Sequence, residues 1–233
     1  MSFRSAISDK SEFDNLFPRW NKLEPNVQKI LHSQASFHSA KKGTILQSDE
    51  NHCIGLVLVN SGQLRVYMMS DEGKEITLYR LFSGDMCLLS ASCILSSIQF
   101  EVIVETEKNS NFWIIPSTTY KTLMAQSLPL CTYTNELMSA RFSDVMWVMQ
   151  QVLFKSMDER LSEFLLDETN REDNEILKIT HEQIAHHLGT AREVITRLLK
   201  YLQDENAISL SRGIITIKDR SLLEERVHTP LTE

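Results

Sequence analysis

Five of the seven glycines stand at positions 43, 55, 62, 73 and 84, and the next comes only at position 189. Glycine supplies the left-handed backbone of tight turns at no steric cost. A chain carrying one every 7 to 12 residues is therefore cut into short lengths. Those lengths are β-rich: IGLVLV, QLRVYMM, EITLYRLF and, further on, FEVIVE. Asp71-Glu72-Gly73-Lys74 is a turn signal between two of them. Short, evenly punctuated strands over about residues 40–116 predict a β-sandwich or β-roll rather than a parallel α/β sheet.

After Pro116 the character reverses. Residues 127–155 hold no glycine and one early proline, and are rich in Leu, Met, Val and Gln. Leu137, Arg141, Val145, Val148 and Val152 recur at helical spacing, with Trp147 and Met149 beside them. A helix of that length spans about 40 Å, more than a small domain covers. Its stripe is expected to meet a partner helix, so these five residues are the expected dimerisation set. Burial against the chain's own β domain is the alternative. Ser156-x-x-Glu159 is a capping box that starts a second helix, running to about Thr169. The polar run NREDNE (170–175) then reads as a loop into a last domain.

That last domain carries two more capping boxes, Thr180-x-x-Gln183 and Thr190-x-x-Glu193, with Gly189 between them as the turn. The first helix is about eight residues long and apolar at Ile184, Ala185 and Leu188. The second buries Val194, Ile195, Leu198, Leu199 and Leu202. Two helices joined by a tight glycine turn are the helix-turn-helix plan. Beyond Glu205, ISLSRGIITI alternates apolar and polar residues around Arg212-Gly213, which predicts a β-hairpin wing. The exposed side of the second helix keeps Arg192, Glu193, Thr196, Arg197 and Lys200. Arg can bond guanine O6 and N7, and Glu can accept from cytosine N4. Thr190 and backbone N–H groups can meet phosphate, with Arg212 at the wing. A solvated charged face, with Glu193 completing a cap and the cations paired to nearby acids, is the plainer alternative.

The same stretch, THEQIAHHLG (180–189), resembles the H-E-x-x-H of zinc hydrolases. Helical geometry argues against it. In that motif the histidines are four residues apart, about 40° around the helix axis. His181 and His186 are five apart, about 140°, and His181 and His187 six apart, about 120° the other way. Neither pair shares a face, so neither can chelate one zinc ion. No catalytic or metal-ligating residue is expected, and a zinc-dependent hydrolase is the remote alternative. His186 and His187 then read as surface residues near DNA or solvent.

Charge points the same way. The net charge of −7 is unlike that of a general polyanion binder. Residues 178–220, however, carry seven Lys/Arg against five acids, whereas residues 1–177 carry 16 against 23. A nucleic-acid footprint must be local and C-terminal. Apolar runs are all interrupted well short of the roughly 18 residues a membrane span needs. The stretch MSFRSAISDKSEFDNLF lacks the apolar core of a secretory signal. A cytoplasmic location with no membrane partner is expected, and with it reduced thiols at Cys53, Cys87, Cys93 and Cys131.

Two stretches carry a resemblance to a known family. ITHEQIAHHLGTAREVITRLLKYLQDENAIS includes Gly189, Arg192, Glu193 and Arg197 in a Gly-x-x-Arg-Glu-x-x-x-Arg pattern, and SDEGKEITLYRLFSGDM carries Gly73 and Gly84. Over about residues 20–218 the chain resembles the cyclic-AMP receptor protein/fumarate–nitrate regulator (CRP/FNR) superfamily of bacterial transcription factors. The resemblance implies an α+β chain of three parts. Residues 1–126 would form an N-terminal segment and a β-roll sensor (a jelly roll, or double-stranded β-helix, like those that bind cyclic nucleotides). Residues 127–155 would form a long dimerisation helix, and residues 156–233 a C-terminal winged helix-turn-helix. Arg192, Glu193 and Arg197 look like the set of the cyclic-AMP receptor branch, which implies a homodimer on a palindromic operator with TGTGA-like half-sites. Double-stranded DNA, a second copy, RNA polymerase and a small-molecule effector are the implied partners.

The sensor departs from that pattern. Cyclic-nucleotide binders of this fold place a Gly-Glu and then an Arg-Ser or Arg-Thr pair around the phosphate. Here Gly84-Asp85 keeps the first part, Phe100-Glu101 stands near the second, and no Lys or Arg lies between Leu81 and Glu107. A buried anion without a cation is costly, so the effector is expected to be something other than a cyclic nucleotide. Arg65 or Arg80 could supply the cation from a distant strand. The effector is expected near Gly84, Asp85, Cys87, Ser90, Ser92, Cys93 and Phe100. No cysteine precedes Cys53, so the iron–sulfur cluster of the fumarate–nitrate branch lacks its N-terminal ligands. A redox or metal-bound Cys87/Cys93 pair, or haem on one of His52 and Cys53, remain alternatives; no cofactor is expected.

Overall fold

The computed structural model describes residues 4–5, 10–46, 54–88 and 102–228. Residues cluster into two compact units, Met1–Met68 with Leu78–Val145, and Met69–Thr77 with Met146–Glu233. Elements in chain order are β1 (Arg4–Ser5), α1 (Lys10–Leu16), α2 (Pro25–Gln34), β2 (Ser36–Ala40), β3 (Leu56–Ser61), β4 (Leu64–Met69), β5 (Glu75–Leu81) and β6 (Met86–Cys87). They continue with β7 (Ile103–Thr106), β8 (Ser110–Ile115), α3 (Ser117–Gln126), α4 (Leu128–Phe154) and α5 (Met157–Glu172). The chain ends with β9 (Ile176–Leu177), α6 (His181–Leu188), α7 (Arg192–Asp204), β10 (Ile208–Ser211), β11 (Ile214–Ile217) and α8 (Arg220–His228). Among the described residues no helix is long and apolar enough to cross a membrane.

The first unit holds two antiparallel sheets, ordered β1-β2-β8-β3-β6 and β5-β4-β7. The reason β3 reads as an unbroken apolar run is that both of its faces are covered. Successive side chains on a strand point to opposite faces. Leu56 and Leu58 enter a cluster with Phe13, Phe17, Val27 and Leu31 of the helical segment. Val57 and Val59 enter the roll interior with Leu64, Val66, Leu78 and Val104 of the other sheet. The paired strand β8 divides likewise, Trp113 and Ile115 to the helical side and Phe112 and Ile114 to the interior. Each fully buried Leu or Val in this arrangement contributes about 1.5–3 kcal/mol.

Helix α4 enters that core from one side. Leu130 and Leu137 lie in the helical cluster, and Val145 packs on the roll interior. Arg141 donates to Asp144 at 2.8 Å, and its guanidinium lies 4.6 Å from the centre of the Tyr79 ring. Three of the five residues expected at a dimer seam, Leu137, Arg141 and Val145, are thus engaged by their own unit. Val148 is half-buried and Val152 exposed. Another stripe of α4 is exposed throughout, at Leu128, Thr132, Asn135, Ser139, Phe142, Met146, Met149 and Leu153.

In the second unit, Ser156 and Glu159 form the expected capping box, Glu159 N donating to Ser156 Oγ and Ser156 N to Glu159 Oε2. Helix α5 continues to Glu172, past the expected stop at Thr169, and ends where Asp173 turns left-handed at φ 48°. Leu161 and Leu165 of α5 share a core with Ile184, Leu188, Ile195, Leu199, Leu202, Ile215 and Leu223. A three-stranded sheet, β10-β11-β9, closes it.

Two stability predictions follow from this packing. Gly62 sits at φ 91°, and a Cβ there would come within 2.5 Å of Asn109 O and 2.7 Å of Ser110 Cα. Gly62→Ala should therefore lower stability by about 1–3 kcal/mol or more in urea unfolding, whereas Gly73→Ala, in open space, should cost only the strain of its positive φ. Burial pushes the His38 imidazole below its ordinary pKa. Between that lowered value and about 6.5 the unfolded chain then holds a proton that the folded chain lacks. Stability should fall as pH drops below about 6.5, and His38→Gln should flatten that fall in urea titrations at a series of pH values.

Candidate nucleic-acid interface

Helix α6 starts with a complete capping box: Gln183 N donates to Thr180 Oγ1, and Thr180 N donates to Gln183 Oε1. It ends at Gly189, whose φ of 68° is the left-handed turn favoured by a residue without Cβ. Arg160, buried on α5, donates to Leu188 O at 2.6 Å and so ties down the same helix end. The expected second capping box does not form. Thr190 N donates to Ala185 O, closing α6, and the N-cap of α7 is Ala191 with no side-chain cap. Thr190 belongs to the turn, half-buried, and the Glu193 carboxylate is not spent on a cap.

Helix α7 has one strongly apolar side. Ile195, Leu199 and Leu202 are buried, with Val194 and Leu198 half-buried beside them. The helical period then forces Arg192, Glu193, Thr196, Arg197 and Lys200 to the opposite side, where all five are exposed. Strands β10 and β11 form the wing, paired from Ile208↔Ile217 to Ser211↔Ile214, with Arg212 and Gly213 at its tip. A groove between the wing and the starts of α6 and α7 is lined by Thr180, His181, Glu182, Arg192, Arg212 and Gly213, among others.

The cations of this unit divide into two groups. Arg220 meets Glu224 and Glu175, Arg226 meets Asp158 and Glu205, and Arg171 meets Glu168. Arg192, Arg197, Lys200 and Arg212 form no salt bridge among the described residues. The alternative in which Arg197 and Lys200 pair with nearby acids therefore does not describe this face. Four exposed cations, presented by α7 and the hairpin tip, can donate to phosphate and to base edges, and the exposed Glu193 carboxylate can accept from a base amino group.

The three histidines of α6 have different neighbours. His181 Nδ1 lies 2.9 Å from Thr196 Oγ1 on α7. His186 Nδ1 lies 3.4 Å from Glu75 Oε2, and His187 Nδ1 2.8 Å from Thr77 Oγ1 with its ring stacked on Phe164. The rings diverge as the five- and six-residue spacings require. His187, expected near DNA or solvent, packs inside the unit, whereas the His186 side chain, beside Glu75, remains 42% exposed to solvent. Burial and the charge of Arg192 press the His181 pKa below its ordinary value, which favours the neutral ring. The spacing gave no hint of the His181–Thr196 bond, because it depends on how α6 and α7 cross.

Of the residues expected around an effector, three fall on described elements. Gly84, at φ 89°, donates its N–H to Val59 O. Asp85 accepts from Phe82 N at 2.8 Å, so its carboxylate closes its own turn. Cys87 is fully buried in the roll interior beside Tyr79, whose phenol burial pushes well above its ordinary pKa. Ser90, Ser92, Cys93 and Phe100 lie outside the described residues, as do His52 and Cys53. The two distant cations are both engaged with carboxylates. Arg80 donates to Glu107 at 2.7 Å, and Arg65, over the Tyr67 ring, lies 4.0 Å from Glu105.

Residues 159–226 match the Crp-like helix-turn-helix domain. The chain is 26% identical to the fumarate and nitrate reduction regulatory protein of Yersinia pestis, over 82% of this chain and 78% of that one. It is 25% identical to the cyclic AMP receptor protein of Thermus thermophilus, over 73% and 78% of the two chains. A solved structure from Eubacterium rectale, assigned to the crp/fnr family of transcriptional regulators, superposes with a TM-score of 0.89 at 55% identity. That match covers 92% of this chain and 100% of the other. These relatives are regulators rather than enzymes. With a helix-turn-helix, a wing and an unpaired basic face already in place, the chain belongs to the CRP/FNR family of DNA-binding transcriptional regulators.

Proposed function

We propose that the protein is a homodimeric one-component regulator, acting in the cytoplasm, that binds a palindromic operator with TGTGA-like half-sites and answers to an effector other than a cyclic nucleotide. The observation that carries this reading is the exposed side of α7, where Arg192, Glu193 and Arg197 stand without salt-bridge partners among the described residues. Arg192 and Arg197 are placed to bond guanine and Glu193 to accept from cytosine. Thr190, Lys200 and Arg212 supply phosphate contacts. RNA polymerase is the partner that the family resemblance adds.

Dimerisation is supported by the outward stripe of α4. Phe142 (67% exposed), Met146 (39%), Met149 (48%) and Leu153 (60%) follow one another at intervals of four, three and four residues. That is the a/d spacing of a coiled-coil seam. A regulator with two copies presents two recognition helices, which suits a palindrome. The non-nucleotide effector is supported by Asp85 closing its own turn and by Arg65 and Arg80 facing Glu105 and Glu107.

Three outcomes test the reading. Arg192→Ala and Arg197→Ala should each lose about 1–3 kcal/mol of discrimination between a TGTGA palindrome and random duplex, read by competition binding; unchanged discrimination in both would remove α7 as the reader. Met146→Glu combined with Leu153→Glu should yield folded monomers in sedimentation velocity, whereas Leu137→Glu should unfold the chain, because Leu137 is in its own core. Cyclic AMP or cyclic GMP at millimolar concentration should leave operator affinity unchanged in fluorescence anisotropy, and a shift with either would overturn the effector reading.

A further inference from the structure

The Thr196 hydroxyl is committed on both sides. Its Oγ1 lies 2.9 Å from Arg192 O, four residues back along α7, and 2.9 Å from His181 Nδ1 on α6. A hydroxyl has one proton, and a carbonyl oxygen can only accept. The Thr196 proton therefore goes to Arg192 O, and the bond to His181 must be donated by the ring, which places the imidazole proton on Nδ1. Nδ1 carries a proton in the neutral tautomer and in the imidazolium alike, so this brace does not depend on the charge of the ring.

A threonine in a helix divides between two rotamers when nothing chooses between them. Here two hydrogen bonds choose one, and both draw the oxygen back onto protein groups. Thr196 is nonetheless exposed, on the side shared by Arg192, Glu193, Arg197 and Lys200. The methyl group is the end of the side chain left without a polar partner. On the floor of the major groove the one base group recognised by apolar contact is the C5-methyl of thymine. A methyl pressed on cytosine N4 or adenine N6 would strip a donor of water without replacing its hydrogen bond.

We propose that His181 is a positioning residue which, by fixing the Thr196 hydroxyl against α7, makes the Thr196 methyl a reader of one thymine in each half-site. The proposal rests on α7 being the DNA-reading helix and adds to it a base that neither arginine nor the glutamate would select.

The test begins with selection of preferred duplexes from a random pool by the full-length protein. Failure to enrich any sequence would overturn the DNA-reading assignment itself, before the thymine is examined. Each thymine of the selected site is then replaced singly by deoxyuridine, which lacks only the methyl, and dissociation constants are compared by anisotropy. One position per half-site should weaken binding about fourfold, the worth of about 0.8 kcal/mol for one buried methyl-sized group. Because the thymine-to-uracil ratio is measured within each variant, partial loss of active protein cancels. Thr196→Val should keep the ratio and Thr196→Ser should bring it to one. His181→Leu should also lower it toward one, by releasing the hydroxyl, while His181→Asn, whose amide nitrogen can stand where Nδ1 stands, should restore it. A ratio near one at every thymine in the parent protein would overturn the proposal, as would an undiminished ratio in Thr196→Ser or in His181→Leu.

Discussion

Burial of Ile195, Leu199 and Leu202 in the core of the second unit is the constraint on which the functional face depends. Those three residues fix the rotation of α7 about its own axis. With 3.6 residues per turn, no freedom is left over the facing of Arg192, Glu193, Thr196, Arg197 and Lys200. The core they enter is assembled from elements far apart in the chain, with Leu161 of α5, Ile215 of the wing and Leu223 of α8 all contributing. Leu161 and Leu165 are fully buried in it, so the domain that reads DNA includes the helix that precedes its recognition motif.

Electrostatics then separates the paired cations of the second unit from the unpaired ones. Arg160, Arg171, Arg220 and Arg226 all have partners, and each of those contacts ties two points of the second unit together. The cations at the exposed side of α7 and at the wing tip form no salt bridge among the described residues. In a chain of net charge −7, the basic excess is confined to residues 178–220, with seven Lys/Arg against five acids. The acids that outnumber the bases lie mostly before residue 178.

The sequence disclosed most where one physical rule acts alone. Glycine spacing marked the strands of the roll, the Ser156 and Thr180 capping boxes marked helix starts, and alternation around Arg212-Gly213 marked the wing. It failed where two rules compete. Thr190 could serve as a cap for α7 or help to finish α6, and closure of the Gly189 turn takes its N–H for the second. Helix α4 carries two apolar stripes, and periodicity cannot say which one meets the chain's own core. Leu137 faces the helical cluster, and Arg141 and Val145 face Tyr79 and the roll interior. The His181–Thr196 bond and the engagement of His186 and His187 with Glu75 and Thr77 depend on tertiary placement, which no local spacing encodes.

The outward stripe of α4 is uneven along its length. Leu128 starts it, Thr132, Asn135 and Ser139 follow, and its second half offers Phe142, Met146, Met149 and Leu153. Two such helices laid side by side would exclude water over Phe142 to Leu153 and keep it over Thr132 to Ser139. Adhesion would be concentrated over the last three turns, while the stretch from Thr132 to Ser139, hydrated and weakly held, would part at small energetic cost. A pair of helices built this way would behave as a clothes-peg, firmly sprung over its last turns and compliant before them.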